Sequence, residues 1–392
     1  MQASDRISNI NLGGSDGWEV FNRARQLMAE DHNIVELTIG EHDIKTHPSI
    51  LNAMHEAACA GQTGYASVPG SDKLRDLVAA RVQSRTGVVT TRDNVMITPG
   101  GQAGLFAAHL AACNERDKAL YVEPYYATYP STIRSLGLEA ISIPTKAEDA
   151  FEPQEECLRS SAKTARSLLI NSPNNPSGTV YSRACIDMIA RVSQETDLWL
   201  ISDEVYDTQV WSGEHISPRA MPNMTERCLV IGSMSKSHAM TGSRVGWIVG
   251  PEHMIDKLID LATNMTYGIP GYIQEAAYFA LSQGPEMEKE VAAPFARRRS
   301  LAMAILEDFP NVSAIDPRGA MYLMVDIRKT GLSGDAFANK LLDEHQIAVM
   351  PGESFGRSAA GHLRVAMTIE DRAFEKALRK LCSFANDLSQ DA

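Results

Sequence analysis

A chain of 392 residues is long enough for one large domain plus a smaller one, and with 44% hydrophobic and 22% charged residues it has ordinary globular composition. The formal net charge of -12, with no long basic run, argues against nucleic acid or an anionic membrane as the main partner. Six scattered cysteines without a CxxC, ten histidines without paired spacing and no long uninterrupted apolar stretch argue against disulfides, a metal site and a membrane span. The N-terminus has no apolar signal core, so a cytoplasmic location is expected.

Taken from the N-terminus, residues 17–30 form one amphipathic segment, followed by an apolar run at 34–39 that ends in Gly40-Glu41. Residues 48–60 carry proline in their first turn and Gly61 beyond their end, the start and stop signals of a helix. Ser71 is expected to cap a second helix running to Arg85, and Tyr65 lies in the Gly/Pro-rich loop before it. A short strand at 95–98 then breaks at Pro99-Gly100-Gly101 and enters an alanine-rich helix. Glycines between strand and helix let backbone N–H groups approach an anion, which gives this turn the form of a phosphate seat. Many such turns carry glycine only for the bend.

The middle third alternates. Strands are expected at 119–122, 140–143, 167–170, 198–201, 229–231 and 245–249, with helices at 127–136, 153–161 and 183–196. Short apolar strands with helices between most of them predict a mostly parallel sheet covered on both faces, with ligands beyond the carboxyl ends of the strands. The conspicuous polar residues fall at those ends: Tyr125 and Tyr126, Asn171 and Asn175, Asp203 and Tyr206, and Lys236. Around Lys236 a strand runs into the small polar loop GSMSK, and Arg244 follows eight residues later. A lysine so held, with a guanidinium nearby, suits an amine that forms a Schiff base beside a bound phosphate.

Beyond the sheet, helices are expected at 255–263 and 271–281, with one long helix at 286–306. A strand at 321–325, a helix at 335–345, a strand at 347–350, a strand at 362–367 bearing Arg364 and a last helix at 371–388 follow.

The segments Tyr65-x4-Gly70, TPGGQA, EPYYATY, NSPNNPSGTVYS, SDEVYD, GSMSKSHAMTGSRVGW and HLRVAM, in this order and spacing, resemble the class I and II aminotransferases, pyridoxal-phosphate enzymes of fold type I. The resemblance runs from about residue 34 to about residue 387. It implies a three-layer α/β sandwich with a mostly parallel central sheet as the large cofactor-binding domain, residues 48–282. Residues 1–47 and 283–392 would form a smaller α/β domain hinged against it. The implied reaction moves an amino group between an L-amino acid and a 2-oxo acid, by a ping-pong mechanism through an aldimine on Lys236.

The resemblance also implies roles. Lys236 would carry the cofactor and act as general base and acid, Asp203 would pair with the pyridine nitrogen, and Asn175 and Tyr206 would hydrogen-bond the phenolic oxygen. The phosphate would be held by the Gly100, Gly101 and Gln102 backbone together with Ser233, Ser235 and Arg244. Tyr65 would reach across from the second subunit of a homodimer, and Tyr126 would stack on the pyridine ring. Arg364 would clamp the substrate α-carboxylate, helped by the Gly40 N–H. Trp18, Tyr125, Tyr129, Tyr267 and Tyr322 are read as lining the entrance.

Gln102 departs from the aspartate-specific branch, where the glycine pair is followed by a lysine that reads the distal carboxylate. A neutral amide cannot replace that charge. The alternative is a pyridoxal-phosphate lyase eliminating at Cβ, which would use the same lysine, aspartate and arginine. A regulator would need a DNA-binding segment that the sequence does not show, and GGQAG lacks the GxGxxG spacing of a nicotinamide dehydrogenase.

Overall fold

The computed structural model describes residues 1–12 and 17–390. Positions 13–16 and 391–392, which fall in the ranges expected for the smaller domain, lie outside the described residues. The first strand, β1 (Val35–Glu36), stands apart. The next seven are β2 (Val95–Thr98), β3 (Lys118–Val122), β4 (Glu139–Ile143), β5 (Ser167–Asn171), β6 (Trp199–Asp203), β7 (Cys228–Ser233) and β8 (Gly246–Val249). They form one sheet in the order β2-β8-β7-β6-β5-β3-β4. All neighbouring pairs are parallel except those of β8, which runs against both β7 and β2. The segment between β7 and β8 holds one helical turn, Met234–Ser237, and one 3-10 turn, too little for a crossover. The chain therefore folds back and sets Gly246 opposite Ser233.

Alternate residues of the inner strands feed two cores, as the period of two requires. Leu120, Leu168, Ile170 and Leu200 face the side covered by helices Asp72–Thr86, Arg183–Glu195 and Gly271–Ser282. Ala119, Leu169, Ile201 and Ile231 face the side covered by Gly101–Ala112 and Glu252–Met265. The result is the expected three layers around a mostly parallel sheet. Three of the expected strands end one or two residues early: Asn171, Asp203 and Ser233 are ladder residues that close β5, β6 and β7.

The C-terminal part adds β9 (Ser313–Ala314), β10 (Tyr322–Asp326), β11 (Ile347–Ala348), β12 (Met350–Pro351) and β13 (His362–Ala366). β12-β13-β10-β9 is an antiparallel sheet, while β11 pairs in parallel with β1. Helices Pro285–Glu307, Gly334–His345 and Asp371–Gln390 accompany them, and a third core including Phe295, Leu323, Phe337, Val365 and Phe374 fills this region.

Two local expectations are corrected, at 347–350 and at Ser71. The single strand expected at 347–350 is two, because the chain changes sheets across Val349. The apolar run at 34–39 supplies only two strand residues. Past them the Leu37 backbone donates to Ala348 and accepts from Ala366 (2.8 and 2.9 Å), so it ties the two small sheets together. Ser71 occupies the N-cap of helix Asp72–Thr86, but its hydroxyl makes no capping bond. Its N–H goes instead to Gln274 Oε1 at 2.6 Å.

His109, on helix Gly101–Ala112, is fully buried, and neither ring nitrogen meets a protein hydrogen-bond partner. Burial holds its pKa down, from 6.5 to about 4. The unfolded chain then takes up a proton that the folded chain refuses, so the stability linked to this group is complete above pH 6.5 and is lost as the pH falls towards 4. His109→Leu removes two buried, unpaired polar atoms and is expected to raise stability at neutral pH by about 1 kcal/mol or more. It should also flatten the acid limb of the stability curve. Calorimetric melting of both proteins across this range checks the point, and a destabilised variant with an unchanged acid limb would refute it.

Candidate active site

A cavity of about 530 Å³ opens where the carboxyl ends of β5, β6 and β7 meet the sheet that carries β10 and β13. Lys236 projects into it from the helical turn after β7. Withdrawal from water brings its pKa down to about 8; Glu41 opposes this shift, and Arg364 and Arg244 add to it. Its ammonium donates to the Gly40 carbonyl, and its own backbone carbonyl is held by His42 Nε2 (3.0 Å) and Gln209 Nε2 (3.3 Å).

Asp203 closes β6 and is buried. Its Oδ2 accepts from the Tyr129 hydroxyl at 2.6 Å and its Oδ1 from the Val205 N–H at 3.3 Å. Burial pushes its pKa up to about 6, although both donors pull the other way. No side-chain cation among the described residues pairs with it, so the site has room for a cationic partner that the chain does not supply.

Next to it lies a cradle for an anion. Gly100, at φ +81°, is the N-cap of helix Gly101–Ala112, and the Arg244 guanidinium packs so closely on it that a Cβ would collide with it. Ser233 Oγ accepts from the Ser235 N–H (3.1 Å) and lies 3.0 Å from the Ser235 hydroxyl. A helix N-terminus, two hydroxyls and a guanidinium fork together suit a phosphate.

Arg364 sits in an inner strand of its sheet, β13, between Met324 and Met350, and is 1% exposed. Its guanidinium lies between the rings of Tyr322 (4.6 Å) and Phe355 (4.5 Å). It donates to Asn175 Oδ1 at 2.9 Å and to the Thr38 carbonyl, and Nε meets no protein partner. The sequence suggested no partner for this arginine; the structure supplies two neutral ones and no carboxylate. A cation buried without an anion is built to receive one. Asn175 Nδ2 also donates to the Tyr322 hydroxyl (3.3 Å), which lies 3.0 Å from the Tyr206 hydroxyl.

The family described as aminotransferase class I and II matches residues 32–381. The chain belongs to the class I and II aminotransferases. As such it is a pyridoxal-phosphate-dependent transaminase.

This aminotransferase is 38% identical over 390 residues to the arginine–pyruvate transaminase of Pseudomonas aeruginosa, covering 99% of both chains. It is 31% identical to the aspartate/prephenate aminotransferase of Thermus thermophilus, over 91% of this chain and 92% of that one. Among solved structures, the aspartate aminotransferase of Thermus thermophilus with maleate superposes with a TM-score of 0.91 at 29% identity, covering 98% of this chain and 99% of the other. These matches support transamination and not the lyase alternative.

The residues of the aminotransferase site fit pyridoxal phosphate: the uncompensated Asp203 could meet a protonated ring nitrogen, the cradle could hold the phosphate, and Lys236 could be the attachment point. Gly101, Gln102, Tyr126, Asn175, Tyr206, Ser233, Ser235, Arg244 and Arg364 all line the same cavity, as do Gly40 and Trp18. Gly100 backs the cradle without lining the cavity.

Some expected entrance residues lie elsewhere. Tyr125 packs on Tyr121 and Tyr267 on Tyr65, and neither pair lines the cavity. Tyr129 lines it, but as the buried donor to Asp203 and not as an entrance residue. Tyr65 is 93% exposed in the single chain. The sequence reading also missed Thr38 and Phe355, partners of Arg364 that no motif marks because tertiary packing alone brings them there.

Proposed function

We propose that this aminotransferase carries an amino group from an L-amino acid to a 2-oxo acid in two half-reactions that use one set of side chains. The observation that carries the reading is a convergence in one cavity. It holds an amine with a loosely held proton (Lys236), a buried carboxylate without a cation (Asp203) and a buried guanidinium without a carboxylate (Arg364). When bound, pyridoxal phosphate supplies the sink for the electron pair released at the substrate Cα.

Lys236 would hold the cofactor and move a proton off and onto that Cα. Asp203, kept in place by Tyr129, would hold the ring nitrogen protonated. Asn175 and Tyr206 would orient the phenolic oxygen, and Tyr126 would cover the ring face. Gly100, Gly101, Gln102, Ser233, Ser235 and Arg244 would take the phosphate. Arg364 and the Gly40 N–H would take the substrate α-carboxylate, with Trp18 in the cavity wall.

The wall beside the cradle bears on the donor. The Gln102 amide accepts from Thr128 (3.1 Å) and donates to Thr132 (2.7 Å), so this wall offers neutral hydrogen-bonding groups and no cation. With the arginine–pyruvate relative, this supports a donor with a neutral or basic side chain over aspartate. The test is an absorbance spectrum of the purified protein followed by a panel of amino acids. We expect a visible band that shifts on adding amino acid, returns on adding pyruvate, and gives at least about tenfold higher kcat/KM for arginine or neutral donors than for aspartate. A protein without that band, or one that prefers aspartate, would refute the corresponding half of the proposal.

We further place a second copy of the chain over the exposed Tyr65–Tyr267 pair, so that each Tyr65 serves its neighbour's phosphate seat. Residues 1–47 and 283–392 would close as a unit on the cofactor-binding residues 48–282 when substrate binds. Six unpaired cysteines are in keeping with a reducing cytoplasm.

A further inference from the structure

Glu123 follows directly on β3, in the stretch EPYYATY, and its side chain is buried. A carboxylate taken out of water needs donors, and no side-chain cation among the described residues provides them. They come from one residue 235 positions away: Glu123 Oε2 accepts from the Ser358 N–H (2.9 Å) and from the Ser358 hydroxyl (2.8 Å). Thr145, just past β4, closes the junction. Its N–H donates to Ser358 Oγ (3.0 Å) and its hydroxyl to the Glu123 carbonyl (2.7 Å). Two adjacent strand ends of the large sheet thus grip one serine of the C-terminal part.

Ser358 lies in the second of two consecutive 3-10 turns, Gly352–Phe355 and Arg357–Ala359, and Phe355 ends the first. The contact is tight along their length. The Phe355 carbonyl accepts from the Tyr125 N–H (3.1 Å), and a Cβ on Gly356, at φ +107°, would come within 2.8 Å of the Tyr125 ring and 2.9 Å of the Glu123 carboxyl carbon. Phe355 is one of the two plates that hold the Arg364 guanidinium. The other plate, Tyr322, stands on the strand next to Arg364 and is fixed by the sheet itself. Phe355 instead stands on a segment outside the strands, and the grip on Ser358 holds that segment against the large sheet.

We propose that Glu123 is a positioning residue for substrate recognition: through Ser358 it fixes Phe355, and through Phe355 the orientation of Arg364 towards the α-carboxylate. This rests on the reading of Arg364 given above. Glu123 does not line the cavity, so a positioning role should show in binding and not in the chemical step.

Glu123→Met removes the acceptor at similar volume, Glu123→Gln keeps one acceptor oxygen, and Ser358→Ala removes the hydroxyl alone. We expect Glu123→Met to raise KM for both the amino acid and the 2-oxo acid by about tenfold. Its kcat should stay within about twofold, and the pH dependence of the visible band should not change. Ser358→Ala should move KM the same way by less, and Glu123→Gln should recover most of the loss. An unchanged KM in Glu123→Met overturns the proposal, as does a KM rise accompanied by equal changes in kcat and in the band. Should Glu123→Met fail to fold, an unchanged KM in Ser358→Ala overturns it. Arg364→Lys run alongside separates the two ideas: if it leaves KM unmoved, the clamp reading itself fails. If Arg364→Lys raises KM and Glu123→Met does not, only the positioning role falls.

Discussion

Lys236→Ala is expected to lower kcat by about four orders of magnitude or more, since it removes both the attachment point and the proton carrier. Lys236→Arg should do no better: it keeps the charge but holds its proton at all working pH values, so it cannot act as a base. The lowered pKa adds a second, independent readout. Only the neutral amine reacts with a carbonyl, and with a pKa of about 8 the neutral fraction of Lys236 grows as the pH rises towards that value and levels off above it. Uptake of added pyridoxal phosphate by cofactor-free protein, followed by absorbance, should track this curve. Uptake that keeps rising towards pH 10, as for an ordinary lysine, would mean that the cavity does not tune the amine. Turnover retained in Lys236→Ala would overturn the lysine-centred mechanism altogether.

Arg364→Ala should raise KM for both substrates and lower kcat/KM by about two orders of magnitude, the equivalent of about 3 kcal/mol for losing one partner of a desolvated charge pair. Arg364→Lys should recover little, because a point charge cannot reproduce a fork already shared between Asn175 and the Thr38 carbonyl. Steady-state kinetics with each substrate varied in turn checks both variants. A loss confined to kcat would place the arginine's contribution in the chemical step and not in carboxylate binding.

The fold was legible in the sequence wherever one strand carried its own signal. β2 was expected at its observed residues, and the inner parallel strands were placed to within a residue or two, because short apolar runs between helices can hardly be anything else in a chain of this length. The division at Val349 was not legible: Ile347 to Met350 reads as one apolar run, and only the positions of β1 and β13 make it two. The site shows the same contrast. Lys236, Asp203 and Asn175 stand at or just past strand ends and Arg364 in the middle of β13, all within motifs, and the fold gathers them into one cavity. Tyr129 was seen but misplaced, since nothing in YYATY says which tyrosine turns inward to the β6 carboxylate. Thr38 acts through its backbone carbonyl, a contact its side chain does not advertise.

Gly40 shows how far such hidden contacts reach. A Cβ at this position would fall inside the Tyr322 hydroxyl, which in turn is engaged with Tyr206 and Asn175. Neither position can be changed alone without cost: a side chain at 40 fits only if residue 322 is made smaller, and a smaller residue 322 loses two hydroxyl contacts. Two residues far apart in the chain thus constrain each other's size through a single contact.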